Sequence, residues 1–255
     1  MPTIQVAGLE TYYEQIGSGP VLLLLHGWAN AWEAWLPVIP FLSDHFTLIL
    51  PDLPGCGRTG SPQEGWSTAQ HARWLEALIH SLSQSVPEFE LIGCVGHSYG
   101  GKMLLEFCSG NYEGVPNKIV LIDASGIPNV LNKKQQTLAY LSSLTPRFLK
   151  ERLSHSVRAQ IYTKFGAESD YITANAFQQQ TLQKVLTEDY TTKLAKITQP
   201  TLLIWGKNDE STPLWQAESM HALLPYNELH VFDADHFPHH TYPEKVSADI
   251  TTFFH

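Results

Sequence analysis

Cysteine is scarce in this sequence: Cys56, Cys94 and Cys108 are the three among 255 residues. An odd number with no CxxC spacing argues against a disulfide framework and a zinc ribbon. All three lie in or beside apolar segments, which suits reduced thiols. Positive charge is sparse as well. Sixteen Lys and Arg stand against 25 Asp and Glu, a formal charge of −9. Nucleic acid is therefore not an expected partner, because such surfaces need clustered basic side chains. Long hydrophobic runs are missing too. The longest aliphatic stretch is Val21 to Leu25, far short of the roughly 20 residues that span a bilayer. The opening MPTIQVAGLE carries neither the basic nor the apolar region of an export signal, so the expectation is a cytoplasmic protein with no membrane span.

What is present is a series of short apolar runs: VLLLL (21–25), FTLIL (46–50), LIGCV (91–95), KIVLI (118–122), TLLIW (201–205) and LHVF (229–232). Most are apolar throughout rather than alternating, the pattern of strands covered on both faces in a parallel sheet. Residues 68–83 and 102–108 carry helix-compatible patterns between them, and 3–6 with 11–15 read as an opening hairpin. The class is α/β. With 43% hydrophobic residues the chain can bury the core of one domain. One interval breaks the rhythm. From Ile127 to Ile197 no strand-like run occurs, and ten basic residues face five acidic ones, whereas the remainder of the chain holds six against twenty. The expected division is a core of 1–126 and 198–255, with 127–197 inserted.

The stretch IGCVGHSYGGKMLLEF contains G-x-S-x-G at Gly96-His97-Ser98-Tyr99-Gly100. Glycines flanking a serine let a strand turn at once into a helix and hold the serine in a strained conformation with its hydroxyl exposed. An apolar strand precedes the motif and a helix-compatible run follows it, which is the context this reading needs. A hydroxyl is a weak nucleophile at neutral pH, so a base must take its proton and an acid must orient that base. In this topology they follow as acid and then histidine. Asp209, after TLLIW in WGKNDESTP, and His236, after LHVF in DADHFPHH, both fall at the C-terminal ends of strands, the edge where Ser98 emerges. Asp123, in LIDASG, also ends a strand and is the competing acid. His239 and His240 form H-x-x-H-H with His236 but lack a matched carboxylate or cysteine set, so no metal is expected. His26 and His97 read as packing or hydrogen-bonding residues.

Acyl transfer would also create an oxyanion that needs two preorganised N–H donors. The backbone N–H groups of Tyr99, just after the serine, and of Trp28, in His26-Gly27-Trp28 after VLLLL, are the candidates.

With LLLLHGW, PDLPGCGRT, GHSYGG, LLIWGKND and DHFPHHTYPEKV in this order, the chain resembles the α/β-hydrolase superfamily of serine hydrolases over nearly everything outside the insert. The resemblance implies an α/β-hydrolase fold: a mainly parallel eight-stranded sheet flanked by helices, with an inserted helical cap at 127–197. It implies Ser98, Asp209 and His236 as a triad, Trp28 and Tyr99 as oxyanion donors, and no cofactor. Two positions depart from the usual pattern. Thr59 stands where serine is common, and Asp235 where glycine often precedes the histidine.

Such a scaffold hosts several chemistries. Serine at the elbow points away from the dehalogenase and epoxide hydrolase branches, and a carboxylic ester hydrolase is the first expectation. Carbon–carbon bond hydrolysis, perhydrolysis and a receptor with little turnover are the alternatives. HGW and HFTLILPDLPGCGR are similar to the corresponding segments of the pimeloyl-carrier-protein methyl ester esterases. The basic insert on an acidic body then motivates an acyl carrier protein as a partner beside a small ester substrate, although a solvated helical face explains the same charge. Trp28, Trp32, Trp35, Tyr140 and Phe148 are candidate pocket residues.

Overall fold

The computed structural model describes residues 3–128 and 174–255. The expected insert lies largely outside them, including Tyr140, Phe148 and the basic residues from Lys133 to Lys164. Eight strands form one sheet: β1 (Thr3–Val6), β2 (Leu9–Ile16), β3 (Val21–Leu25), β4 (Thr47–Pro51), β5 (Leu91–His97), β6 (Lys118–Ile122), β7 (Thr201–Gly206) and β8 (Asn227–Phe232). Their order is β1-β2-β4-β3-β5-β6-β7-β8. The β1–β2 and β2–β4 pairs are antiparallel, and every pair from β4–β3 to β7–β8 is parallel. The opening hairpin turns through Ala7 (φ 49°) and Gly8 (φ 82°), two left-handed residues whose twist matches that of the flanking strands.

The helices of the described residues are α1 (Ile39–Leu42), α2 (Thr68–Ser85), α3 (Tyr99–Ser109), α4 (Ala176–Val185), α5 (Leu214–Leu223), α6 (Pro238–Thr241) and α7 (Pro243–Phe254). The apolar runs become central strands because both faces of the sheet are covered. In β3, Val21, Leu23 and Leu25 join one core and Leu22 and Leu24 the other, and β6 and β7 alternate in the same way. The first core packs under α2, α3 and α5, and the second under α1 and α7. Helix α2 opens with a capping box between Ser67 and Gln70 and buries Ala72, Leu75, Leu78, Ile79 and Leu82 along one stripe. The three cysteines are free and buried.

The described end of the 127–197 segment is tied to the loop before α2 by groups far apart in sequence. Gln180 Oε1 accepts from Gly65 N (2.9 Å), Thr181 Oγ1 from Trp66 N (2.9 Å) and Glu188 Oε1 from Thr68 N (3.1 Å). From the core side, Lys102 Nζ donates to the carbonyls of Val185 and Glu188. These bonds satisfy backbone groups that two close-packed segments would otherwise strand.

The strand order creates a place for a site. From β3 the chain moves to β4 on one side, and β5 lies on the other, so a crevice opens at the C-terminal ends of the parallel strands.

Candidate active site

Ser98 is the single residue between β5 and α3. Its backbone has φ 51° and ψ −111°, a region sparsely used by residues with a side chain and costing about 1–3 kcal/mol. The neighbours hold it there. Ser98 N donates to Ile122 O (2.9 Å), and Ser98 O accepts from the N–H groups of Lys102 and Ser125 (both 3.1 Å). A Cβ on Gly100 would lie 2.2 Å from Leu25 O, and one on Gly96 2.6 Å from Gly101 N. Glycine at both places is thus a requirement of close backbone approach.

His236 lies in the loop after β8, and its Nδ1 is 2.7 Å from Asp209 Oδ2, in the loop after β7. Of the two aspartates that follow the neighbouring strands β6 and β7, the one whose carboxylate hydrogen-bonds to His236 is Asp209. Burial works to raise the pKa of this carboxyl, but the hydrogen bonds from His236 and Thr212 outweigh it and hold the group below the ordinary value. Asp209 Oδ1 accepts from Ser211 N (2.7 Å) and Thr212 N (2.9 Å), and Oδ2 also receives Thr212 Oγ1 (2.7 Å). With the carboxylate an acceptor only, His236 Nδ1 carries the proton and Nε2 presents its lone pair.

His97 ties this loop to the serine turn. Its Nε2 donates to His236 O (2.9 Å), and the two rings are 4.8 Å apart. Burial, reinforced by His236, drives the His97 pKa well below the usual histidine range, so the ring is a neutral strut. On the other side, a Cβ at Gly27 would lie 2.9 Å from His97 Nδ1 and 3.3 Å from Ser98 Cβ. The loop that carries Trp28 therefore touches the serine turn. It is fixed by His26, whose Nδ1 donates to Gly27 O (2.7 Å) while Nε2 accepts from Leu53 N (3.0 Å). Burial lowers the His26 pKa to about 4, consistent with the neutral tautomer those two bonds demand. The Trp28 and Tyr99 rings meet edge to face at 5.4 Å.

A pocket opens beside this junction, lined by Trp28, Leu53, Cys56, His71, Tyr99 and Phe177 among others. Burial pushes the Cys56 thiol up to about 11 and the His71 imidazole down to about 4. Both are uncharged at neutral pH, so these walls present no charge. Phe177 comes from α4, so the segment expected to be inserted contributes to the wall. Trp28 belongs to the pocket, whereas Trp35 is fully buried in the core on the opposite face of the sheet and Trp32 packs against that core.

The remaining candidates have other partners. His239 is buried between the rings of Trp35 and His97, and His240 Nε2 donates to Ala34 O (2.7 Å). Donor atoms of His97, Asp123 and His236 gather within 4.8 Å of one another, but His97 Nε2 and His236 Nδ1 are already engaged. Thr59 Oγ1 accepts from Tyr12 N (3.0 Å), and Asp235 Oδ1 accepts from Phe237 N (3.0 Å), closing the His236 loop on itself. Thr212 does not stand out in the sequence. Its signal is the D-x-x-T spacing, which lets an aspartate accept from the N–H groups two and three residues on.

A model of the alpha/beta hydrolase family matches residues 22–249. The chain belongs to this family. Its relatives within the alpha/beta hydrolases include a pimeloyl-[acyl-carrier protein] methyl ester esterase from Vibrio vulnificus, 27% identical over 96% of this chain and 98% of that one. A 2-hydroxy-6-oxo-2,4-heptadienoate hydrolase from Pseudomonas putida is also 27% identical, over 90% and 86%. Among solved structures, an esterase from Exiguobacterium antarcticum superposes with a TM-score of 0.78 over 99% of this chain and 98% of that one, at 21% identity, a likeness of fold. Among the described residues of this alpha/beta hydrolase, no helix is long and apolar enough to cross a membrane.

Proposed function

We propose that the chain is a carboxylic ester hydrolase that works through an acyl-enzyme, with Ser98 as nucleophile, His236 as base and then acid, and Asp209 orienting His236. The observation that carries this reading is the 2.7 Å contact between His236 Nδ1 and the Asp209 carboxylate, on the sheet edge where Ser98 occupies its strained turn. His236 Nε2 takes the Ser98 proton as Oγ attacks the ester carbonyl, and the backbone N–H groups of Trp28 and Tyr99 meet the oxyanion. The alcohol leaves with the proton from His236. Water, deprotonated by the same nitrogen, then releases the acid and restores Ser98. The uncharged pocket walls favour an apolar acyl group.

The test is turnover of a chain-length series of p-nitrophenyl esters. Ser98→Ala is expected to lower kcat on the order of a million-fold, by analogy with serine proteases. Turnover within tenfold of wild type would remove Ser98 from the reaction. The 2-hydroxy-6-oxo-2,4-heptadienoate hydrolase relative supports carbon–carbon bond cleavage as a second reading with the same residues; product analysis on a diketone-like substrate separates the two. For an acyl carrier protein as partner, the support is the relative that acts on a carrier-linked ester. Of the insert's described basic residues, Lys184 donates to Gly65 O and Lys193 pairs with Glu106 at 2.7 Å, while Lys196 is exposed. That reading therefore depends on the basic residues outside the described ones. Equal turnover of carrier-linked and free methyl esters, with no effect of salt, would remove it.

A further inference from the structure

Asp123 directly follows β6 with a left-handed backbone, φ 42°, and is fully buried. Its Oδ1 accepts from Gly206 N (2.8 Å). Its Oδ2 is buried and meets no donor among the described residues. An ionised carboxylate left with one unpaired oxygen away from water is among the more costly arrangements in a fold. Asp209 is the neighbouring acid, and Thr212 bridges the two residues: its hydroxyl lies 2.7 Å from Asp209 Oδ2 and 3.0 Å from Asp123 O. The two carboxyls are unequally served. Asp209 receives Ser211 N, Thr212 N, Thr212 Oγ1 and His236 Nδ1, whereas Asp123 receives Gly206 N.

Two adjacent carboxyls in a dry site do not both ionise, and the proton goes to the one with fewer donors. Protonation turns the orphaned oxygen of Asp123 from an unpaired acceptor into a donor, and the group it then serves is the Asp209 carboxylate. We propose that Asp123 is a neutral carboxylic acid that donates its Oδ2 proton to Asp209, and so acts as a positioning residue for the Asp209–His236 pair. This inference rests on the proposed roles of Asp209 and His236 in ester hydrolysis. Burial first, and then the charge of Asp209, raise the Asp123 pKa well above the carboxylate range against the opposing bond from Gly206. The titratable groups that face Asp123 are Asp209, Asp235, His97 and His236.

The decisive measurement is independent of turnover. Infrared difference spectra of wild type against Asp123→Asn at neutral pH should show the carbonyl stretch of a protonated carboxyl in wild type and its loss in the variant. No such band would overturn the proposal. In kinetics, Asp123→Asn keeps an acceptor toward Gly206 and a donor toward Asp209, and kcat should stay within about threefold of wild type. Asp123→Ala should lose about tenfold to a hundredfold in kcat, the range of one hydrogen bond to a charged group. Equal losses in both variants, or none in Asp123→Ala, would end the positioning role. Should Asp123→Ala fail to fold, the infrared band and the Asn variant decide. The acidic limb of kcat/KM against pH should be unchanged in Asp123→Asn, since no charge is removed; a move toward lower pH would mean that an ionised Asp123 had been lost. If Ser98→Ala keeps its turnover, the ester reading falls, while the infrared band still reports on Asp123.

Discussion

Asp209→Asn removes one charge and one acceptor from the site while keeping the side-chain volume. In wild type Oδ1 accepts two backbone N–H groups, from Ser211 at 2.7 Å and Thr212 at 2.9 Å. An asparagine keeps those bonds by placing its carbonyl oxygen there, which leaves its NH₂ at the Oδ2 position, facing His236 Nδ1. An N–H opposite Nδ1 forces that nitrogen to accept, so the ring proton moves to Nε2, the nitrogen that must take the Ser98 proton. The analogous change in a serine protease lowers kcat about 10⁴-fold with the geometry intact, about 5 kcal/mol of barrier. The same loss is expected here, read as kcat on a short p-nitrophenyl ester. The fold should be little affected, with a change under about 1 kcal/mol, or roughly 2–4 °C in melting temperature for a chain of this size. A variant that melts like wild type and keeps kcat within tenfold would refute the role assigned to Asp209 and the tautomer argument with it.

Thr212→Val removes the hydroxyl 2.7 Å from Asp209 Oδ2 but keeps the backbone N–H bond to Oδ1; kcat should fall about tenfold, within the range of a hydrogen bond to a charged group, and an unchanged kcat would show that His236 and the backbone suffice to hold the carboxylate. The two aspartates should also pull stability in opposite directions with pH. Asp209 has a lowered pKa in the fold, so its contribution is present above the unfolded value of about 4 and lost as pH falls through the folded one. Asp123 has a raised pKa, so its penalty grows as pH rises from about 4 toward its folded value. Urea denaturation of Asp123→Asn should therefore show stability gained over wild type at pH 7 relative to pH 4, and a constant difference between the variants would contradict that sign.

How much of the molecule was readable varies element by element. The signal for β3, β6 and β7 was a run of apolar residues covered on both faces, a local property that survives into the fold. Helix α5 gave little sign of itself. Its apolar residues Leu214, Trp215, Ala217, Met220 and Leu223 fall on all sides, and Trp215 and Leu223 remain exposed. For α7 the signal was there, Pro243 at the first position and Val246, Ile250 and Phe254 at helical spacing. At the site, the serine turn was legible because two glycines and a serine encode a backbone conformation within five residues. Trp28, Trp32 and Trp35 were not separable by sequence, since an apolar ring serves a pocket and a core equally.

The sequence alone determined the layered sheet, the sharp turn at Ser98 and the set of strand ends from which acids and a histidine could reach it, because these come from periodicity and from glycine's freedom at short range. Tertiary structure decided which acid His236 meets, that Thr212 links the Asp209 carboxylate to the backbone carbonyl of Asp123, that His97 braces the His236 loop, and that α4 closes one side of the pocket. Those choices depend on distances of a few ångströms between residues up to 139 positions apart, and on the desolvation that sets which carboxyl keeps its charge; no local pattern carries either quantity.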